Sequence, residues 1–178
     1  MNIRVSASGE VQCENRTYRC ALGRGGVRVD KREGDGATPV GRFPLRRVLY
    51  RPDRLSAPRT RLPVAPLASD DGWCDDPADS QYNRPVRLPY AGRHEELWRT
   101  DALYDVIVVI GHNDAPVIAG MGSAIFMHLA GANYQPTQGC IALARQDLLE
   151  LLAQLGPGDG VDVWQSGADR MVPMASAP

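Results

Sequence analysis

The sequence is poor in lysine, in histidine and in long apolar runs. Of its 20 basic residues only Lys31 is lysine, and only three residues are histidine. The arginine bias reads as nucleotide composition rather than as a selected surface. A net charge of −1 gives no electrostatic case for binding nucleic acid or an anionic membrane. No stretch approaches the roughly 18 consecutive apolar residues of a spanning helix, so no membrane span is expected. The opening segment, MNIRVSASGEVQCENRTYRC, lacks the apolar core of a secretory signal. As it stands, the sequence predicts a cytoplasmic protein, with periplasm or cell envelope expected instead if an upstream signal is missing from it or export takes another route. There is no Cys-x-x-Cys and no His-x₃-His, and Cys74, His94 and His112 are scattered, so neither a metal nor another cofactor is expected. GxxxxGK[ST] is missing, which argues against a phosphate loop. The four cysteines, Cys13, Cys20, Cys74 and Cys140, are too few to staple a chain of 178 residues. A Cys13–Cys20 bridge across a hairpin stays open.

What is present is an ordinary globular composition, 43% hydrophobic and 23% charged, in a length that suits one domain. We expect that domain over residues 1–164, with a small, polar, flexible tail over 165–178. Alternating residues in VQCENRTYRCAL predict two strands joined at Glu14-Asn15-Arg16, and FPLRRVLY (43–50) predicts another. The β-branched runs ALYDVIVVIG (102–111) and GSAIFMHLA (122–130) read as buried strands. Leu148, Leu149, Leu151, Leu152 and Leu155 form a helical stripe over 145–155, stopped by Gly156-Pro157. GVDVW (160–164) returns as a last strand. Residues 51 to about 92 show little periodicity and read as a long excursion packed on the sheet. The glycines at 23, 25, 26, 34, 36 and 41 imply turns or backbone in close approach to something. The fold class predicted is mainly β, a sandwich or barrel-like sheet with at least one packed α-helix.

The stretch HLAGANYQPTQGCIAL (128–143) carries the chemistry. A free thiol has a pKa near 8.5, so a catalytic cysteine needs a base beside it. Twelve residues of loop suffice to bring Cys140 back to His128. Gly139 clears the approach of a substrate carbonyl to the backbone N–H groups of Gly139 and Cys140, the natural oxyanion donors. Acyl transfer through a thioester is the chemistry implied. A buried structural cysteine and histidine are the plain alternative.

The same stretch resembles the signature of the L,D-transpeptidase (YkuD-like) catalytic domain, a histidine followed by Ser/Thr-x-Gly-Cys-apolar. GDGATPVGRFPL (34–45) is similar to the family's Thr-Pro-x-Gly element, and GWCDDP (72–77) and GSAIFMH (122–128) resemble one branch of it. The resemblance spans residues 10 to 164. It implies the L,D-transpeptidase fold and action on peptidoglycan stem peptides or muropeptides, at the bond between diaminopimelate and D-alanine. It further implies carbapenem β-lactams as covalent inhibitors. By the same resemblance Cys140 is the nucleophile, His128 the base and Gly139 part of the oxyanion turn. Thr137 takes the Ser/Thr place, and the Leu129 carbonyl orients the histidine. Three positions depart from the common pattern: Leu129 where glycine is usual, Gln138 where a second histidine is frequent, and Ala142 where Arg or Asn is frequent. Each bears on substrate contacts. Arg145 is placed to replace the missing cation or simply to be solvated in the first helical turn. Asp75 and Asp76 are placed to hold a substrate ammonium or to form the turn before Pro77. The expectation is thus an L,D-transpeptidase or L,D-carboxypeptidase, with a non-catalytic peptidoglycan-binding module of the same fold as the alternative.

Overall fold

The computed structural model describes residues 2–165, and among these it contains fourteen strands and one α-helix. The first three strands, β1 (Asn2–Ser6), β2 (Glu10–Cys13) and β3 (Arg16–Ala21), form an antiparallel meander. β4 (Val27–Arg28) and β5 (Thr38–Pro39) make a small parallel pair. The ten-residue β6 (Gly41–Tyr50) is followed by β7 (Val64–Pro66). The excursion supplies β8 (Asp71–Cys74), β9 (Pro85–Arg87) and β10 (His94–Glu96). β11 (Val106–Ile110), β12 (Phe126–Leu129), β13 (Ile141–Leu143), α1 (Arg145–Leu152) and β14 (Gly160–Trp164) complete the chain.

The main sheet runs β11-β12-β13-β3-β2-β1-β14-β6-β7, and a further β11–β6 pairing closes eight of these strands into a ring. β6 makes the closure because of its length. Its first residues, Gly41–Pro44, pair with β14, whereas Leu45 to Tyr50 pair with β11. The expected barrel-like, mainly β fold is therefore present. Inside the ring lie Ile3, Val5, Val11, Val48, Val108, Met127, Ile141 and Val161, joined by Leu148, Leu151, Leu152 and Leu155 around the helix. Burying a side chain of this size stabilises by about 1.5–3 kcal/mol.

The expected strand over 102–111 is shorter in the structure because Asp105 closes a turn, its N–H donating to the Ala102 carbonyl. Its buried carboxylate is held by Arg54 at 2.7 Å and Arg145 at 3.0 Å. The strand expected from Gly122 begins only at Phe126, because Gly122 and Ala124 both have positive φ. The helix stops at Leu152 rather than at Leu155, yet Leu155 stays in the core through a tight turn onto the Leu152 carbonyl. Cys13 and Cys20 are buried in the ring and are not joined by a disulfide. The hairpin register sets Cys13 opposite Arg16, away from Cys20. The tail expected beyond Gln165 lies outside the described residues.

The excursion is not structureless. It folds into a second sheet, β10-β8-β9, which covers the outer face of β11 and β12. There Trp73 meets Phe126 edge-on at 5.1 Å, with its indole N–H donating to Asn83 at 3.0 Å. Leu49, Leu67, Leu97, Tyr104, Ile107, Val109, Phe126 and Cys140 complete this layer. β11 is thus buried on both faces, which explains its unbroken Val-Ile-Val-Val-Ile run.

Candidate functional site

Register decides which side chains meet. In the antiparallel β11–β12 pair, His128 stands opposite Ile107 and Phe126 opposite Val109. These four residues share the outer face, because alternate residues of a strand point the same way. β13 runs parallel to β12 with His128 beside Ala142. Cys140, two residues before Ala142, therefore falls on the same face as His128. Both line a cavity of about 530 Å³ between the ring and the excursion, together with Gln138, Ala142, Tyr104 and Ser123.

The loop carrying Cys140 is fixed by the glycine-rich segment. The Arg24 N–H donates to the Thr137 carbonyl at 2.8 Å, and the Thr137 N–H donates to the Leu22 carbonyl at 2.9 Å. The Gly23 N–H binds the Thr38 hydroxyl at 2.9 Å. A Cβ on Gly23 would lie 2.9 Å from the Gly139 Cα and closer still to the Gly36 carbonyl. Gly139 has φ +136°, and a Cβ there would lie 2.7 Å from the Ala37 carbonyl. Both positions require glycine. The close approach that the glycines imply is thus to the loop that carries Cys140.

The Cys140 thiol donates to the Ala124 carbonyl at 3.2 Å, and its sulfur accepts the Phe126 N–H at 3.4 Å. Burial pushes the thiol up to about 12, and the Glu95 carboxylate adds to the rise. His128 is 5% exposed, and its Nδ1 lies 2.8 Å from the Leu129 carbonyl. A carbonyl only accepts, so Nδ1 carries the proton and Nε2 keeps its lone pair as a base. Burial holds the imidazole down at about 4, against the partial support of that carbonyl. Both shifts favour the neutral thiol and the neutral imidazole over a preformed ion pair. Tyr104 packs edge-on against His128 at 5.1 Å and donates its hydroxyl to Glu95 at 2.5 Å.

Most of the expected residues converge here. Cys140, His128, Thr137 and Gln138 face the cavity, and the Leu129 carbonyl holds the imidazole. The Gly139 N–H, expected as an oxyanion donor, is engaged by Thr137 Oγ1 at 3.1 Å, while the Thr137 hydroxyl donates to the Cys140 carbonyl at 2.6 Å. Asp75 reaches the cavity but is ion-paired with Arg93 at 3.0 Å. Two of the expected residues are placed elsewhere. Asp76 is not among the cavity residues; it accepts the Ala78 N–H at 3.0 Å in the turn after Pro77. Arg145 also lies outside the cavity, its guanidinium committed to Asp105. Glu33, Glu95 and Tyr104 were not foreseen. The only signal for Glu95 was an acidic pair set before Leu97-Trp98. Among the described residues no three His, Cys, Asp or Glu side chains form a group able to hold a metal. No helix there is long and apolar enough to cross a membrane.

A family model of the L,D-transpeptidase catalytic domain (YkuD) matches residues 8–163. Comparison with curated proteins gives no match. Among solved structures, the crystal structure of Mycobacterium tuberculosis L,D-transpeptidase 1 is similar, with a TM-score of 0.41 and 15% identity over 91% of this chain. The alignment covers 57% of that longer chain.

Proposed function

Since the chain belongs to the L,D-transpeptidase catalytic-domain family, we propose that it transfers acyl groups at the L,D bond between diaminopimelate and D-alanine of peptidoglycan stem peptides, through a thioester on Cys140. The observation that best supports this reading is the placement of Cys140 and of a tautomer-fixed His128 on one face of one cavity. Sγ turns from the Ala124 carbonyl and attacks the scissile carbonyl carbon as its proton passes to His128 Nε2. The Cys140 N–H stabilises the oxyanion, and the Gly139 N–H joins it by exchanging its bond to Thr137. Collapse breaks the C–N bond, and the imidazolium returns the proton to the leaving D-alanine amine. Water or an amine then attacks the thioester, its proton going by way of His128 to the departing Sγ. Water gives L,D-carboxypeptidase activity and an amine gives transpeptidation.

Mass spectrometry of products from a tetrapeptide stem, with and without an amine acceptor, tests the reading and assigns the acceptor. Release of D-alanine by the wild type and its loss in Cys140→Ser are the expected results. A serine variant retaining more than a few per cent of the rate overturns the nucleophile assignment. A carbapenem is expected to add one drug mass, mapped to the peptide that contains residue 140. An adduct on Cys74 relocates the site.

A further inference from the structure

The charges on the cavity wall do not balance. Its cations each have a carboxylate of their own: Lys31 with Asp35 at 2.5 Å, Arg93 with Asp75 at 3.0 Å, and Arg99 with Asp101 at 2.6 Å. Two further carboxylates face the cavity without an ion-pair partner among the described residues, Glu33 and Glu95. Glu33 Oε2 accepts the hydroxyls of Tyr82 at 2.5 Å and Ser123 at 2.7 Å. Among the described residues Glu95 Oε1 accepts only the Tyr104 hydroxyl. Hydroxyls satisfy lone pairs but do not neutralise charge. Burial raises Glu95 above the ordinary carboxylate range, although Arg99 and the Tyr104 bond oppose the rise. Both side chains are half-buried; a partly desolvated carboxylate without a counter-ion is costly, and a cation arriving from outside relieves that cost.

A second observation points to a ligand at the same end of the cavity. His128 is 95% buried, being 5% exposed, and no hydrogen bond from the described residues occupies its Nε2 in this cavity. Glu95 is also tied to the nucleophile. After burial itself, its charge is the largest influence against ionisation of Cys140, while the Phe126 N–H and, less strongly, Lys31 act the other way. A cation seated on Glu95 screens that charge from the sulfur.

We propose that Glu95, assisted by Glu33, receives a primary ammonium of the acyl donor, so that recognition of the cation and activation of Cys140 are one event. The inference rests on the acyl-transfer reading of this cavity. It moves ammonium recognition from the Asp75-Asp76 pair to these two glutamates, and it makes the enzyme selective against donors whose amine is capped.

The test compares two tetrapeptide stems, one with a free side-chain amine on the third residue and one with that amine acetylated. Wild type is expected to favour the free amine by roughly tenfold or more in kcat/KM, the scale of a desolvated charge pair. Glu95→Gln is expected to bring the ratio near unity, slowing the amine substrate while the acetylated one gains from the lost negative charge, and Glu95→Asp to restore part of the preference. Without substrate, Glu95→Gln is expected to speed alkylation of Cys140 by iodoacetamide several-fold, because less negative charge opposes the thiolate. Retention of the wild-type preference, or unchanged or slower alkylation, overturns the proposal. If wild type turns over neither stem, the acyl-transfer reading fails, while alkylation still decides the link between Glu95 and Cys140. Thermal unfolding checks that Glu95→Gln is folded. Should it not be, Glu33→Gln carries the selectivity test, with a smaller fall in preference expected and an unchanged preference overturning the role.

Discussion

On the inner face of β11 and β12, Val106, Val108, Ile110, Met127 and Leu129 lie in an apolar cluster closed by the ring. On the outer face, Ile107, Val109 and Phe126 share their layer with Cys140 and Tyr104, and His128 packs against Tyr104. The same two strands therefore serve two environments, separated by the thickness of one sheet. The inner face is sealed by eight strands and a helix. The outer face is covered by the excursion, whose short strands leave room for a cavity. Cys140 and His128 thus line the cavity on that face, and the apolar interior takes no polar group for their sake.

Neighbouring residues of β12 break the comparison most sharply. Cys140→Ala is expected to abolish turnover while changing stability by about 1 kcal/mol or less, since only a sulfur is removed from a buried site. His128→Ala is expected to lower kcat by roughly 10²–10⁴-fold, the usual weight of a general base. Met127→Ala, one residue away on the inner face, is expected to do the reverse. Loss of its buried side chain costs about 2–5 kcal/mol, with kcat per folded molecule little changed. Urea unfolding alongside single-turnover rates checks the set. Equal kcat losses at 127 and 128 mean that the two faces are not independent.

The pH dependence sharpens the same contrast. His128 accepts a proton only when neutral, and burial holds its pKa at about 4. The acid limb of kcat/KM is therefore expected near pH 4 rather than near the ordinary histidine value of about 6.5. Stability follows the same group with a definite sign. Between the unfolded and folded pKa values the unfolded chain binds more protons, so stability is full above about 6.5 and falls as pH drops towards about 4. His128→Asn is expected to remove that part of the acid sensitivity, as read by thermal unfolding across this range. An activity limb at pH 6 to 7 means that the imidazole is better hydrated than its burial implies.

The inner face was largely legible in the sequence, and the outer face only in part. Val106 to Ile110 and the leucines of α1 announce burial through composition and spacing. His128 and Cys140 stand out because a histidine, a short loop and Gly-Cys carry both a chemical logic and a family resemblance. Glu33, Glu95 and Tyr104 were hidden because nothing local marks them. They meet only when a glycine-rich turn and three-residue strands of the excursion close over β12, and strands that short show no period. The glycines of 23–41 revealed a close approach but not what was approached. Asp76 and Arg145 stayed ambiguous for the opposite reason: their types suit substrate binding, while a turn and a buried carboxylate engage them locally.

Those local claims give the smallest expected effects. Asp105 is buried and accepts from both Arg54 and Arg145, while its backbone carbonyl accepts the Arg51 N–H. Asp105→Asn leaves two partly exposed guanidinium groups without their carboxylate, and a loss of about 1–3 kcal/mol is expected, less than for a fully buried pair. Arg145→Ala removes only one of the two cations, and that side chain is 49% exposed. A change below about 1 kcal/mol is expected, as for most exposed ion pairs. Because its guanidinium faces Asp105 rather than the cavity, kcat/KM on the tetrapeptide is expected to stay within about twofold of wild type, within the ±0.5 kcal/mol or so of an ordinary surface change. A tenfold rise in KM in Arg145→Ala would show that the side chain leaves Asp105 for the substrate, and would restore to it the binding role that its present partner denies.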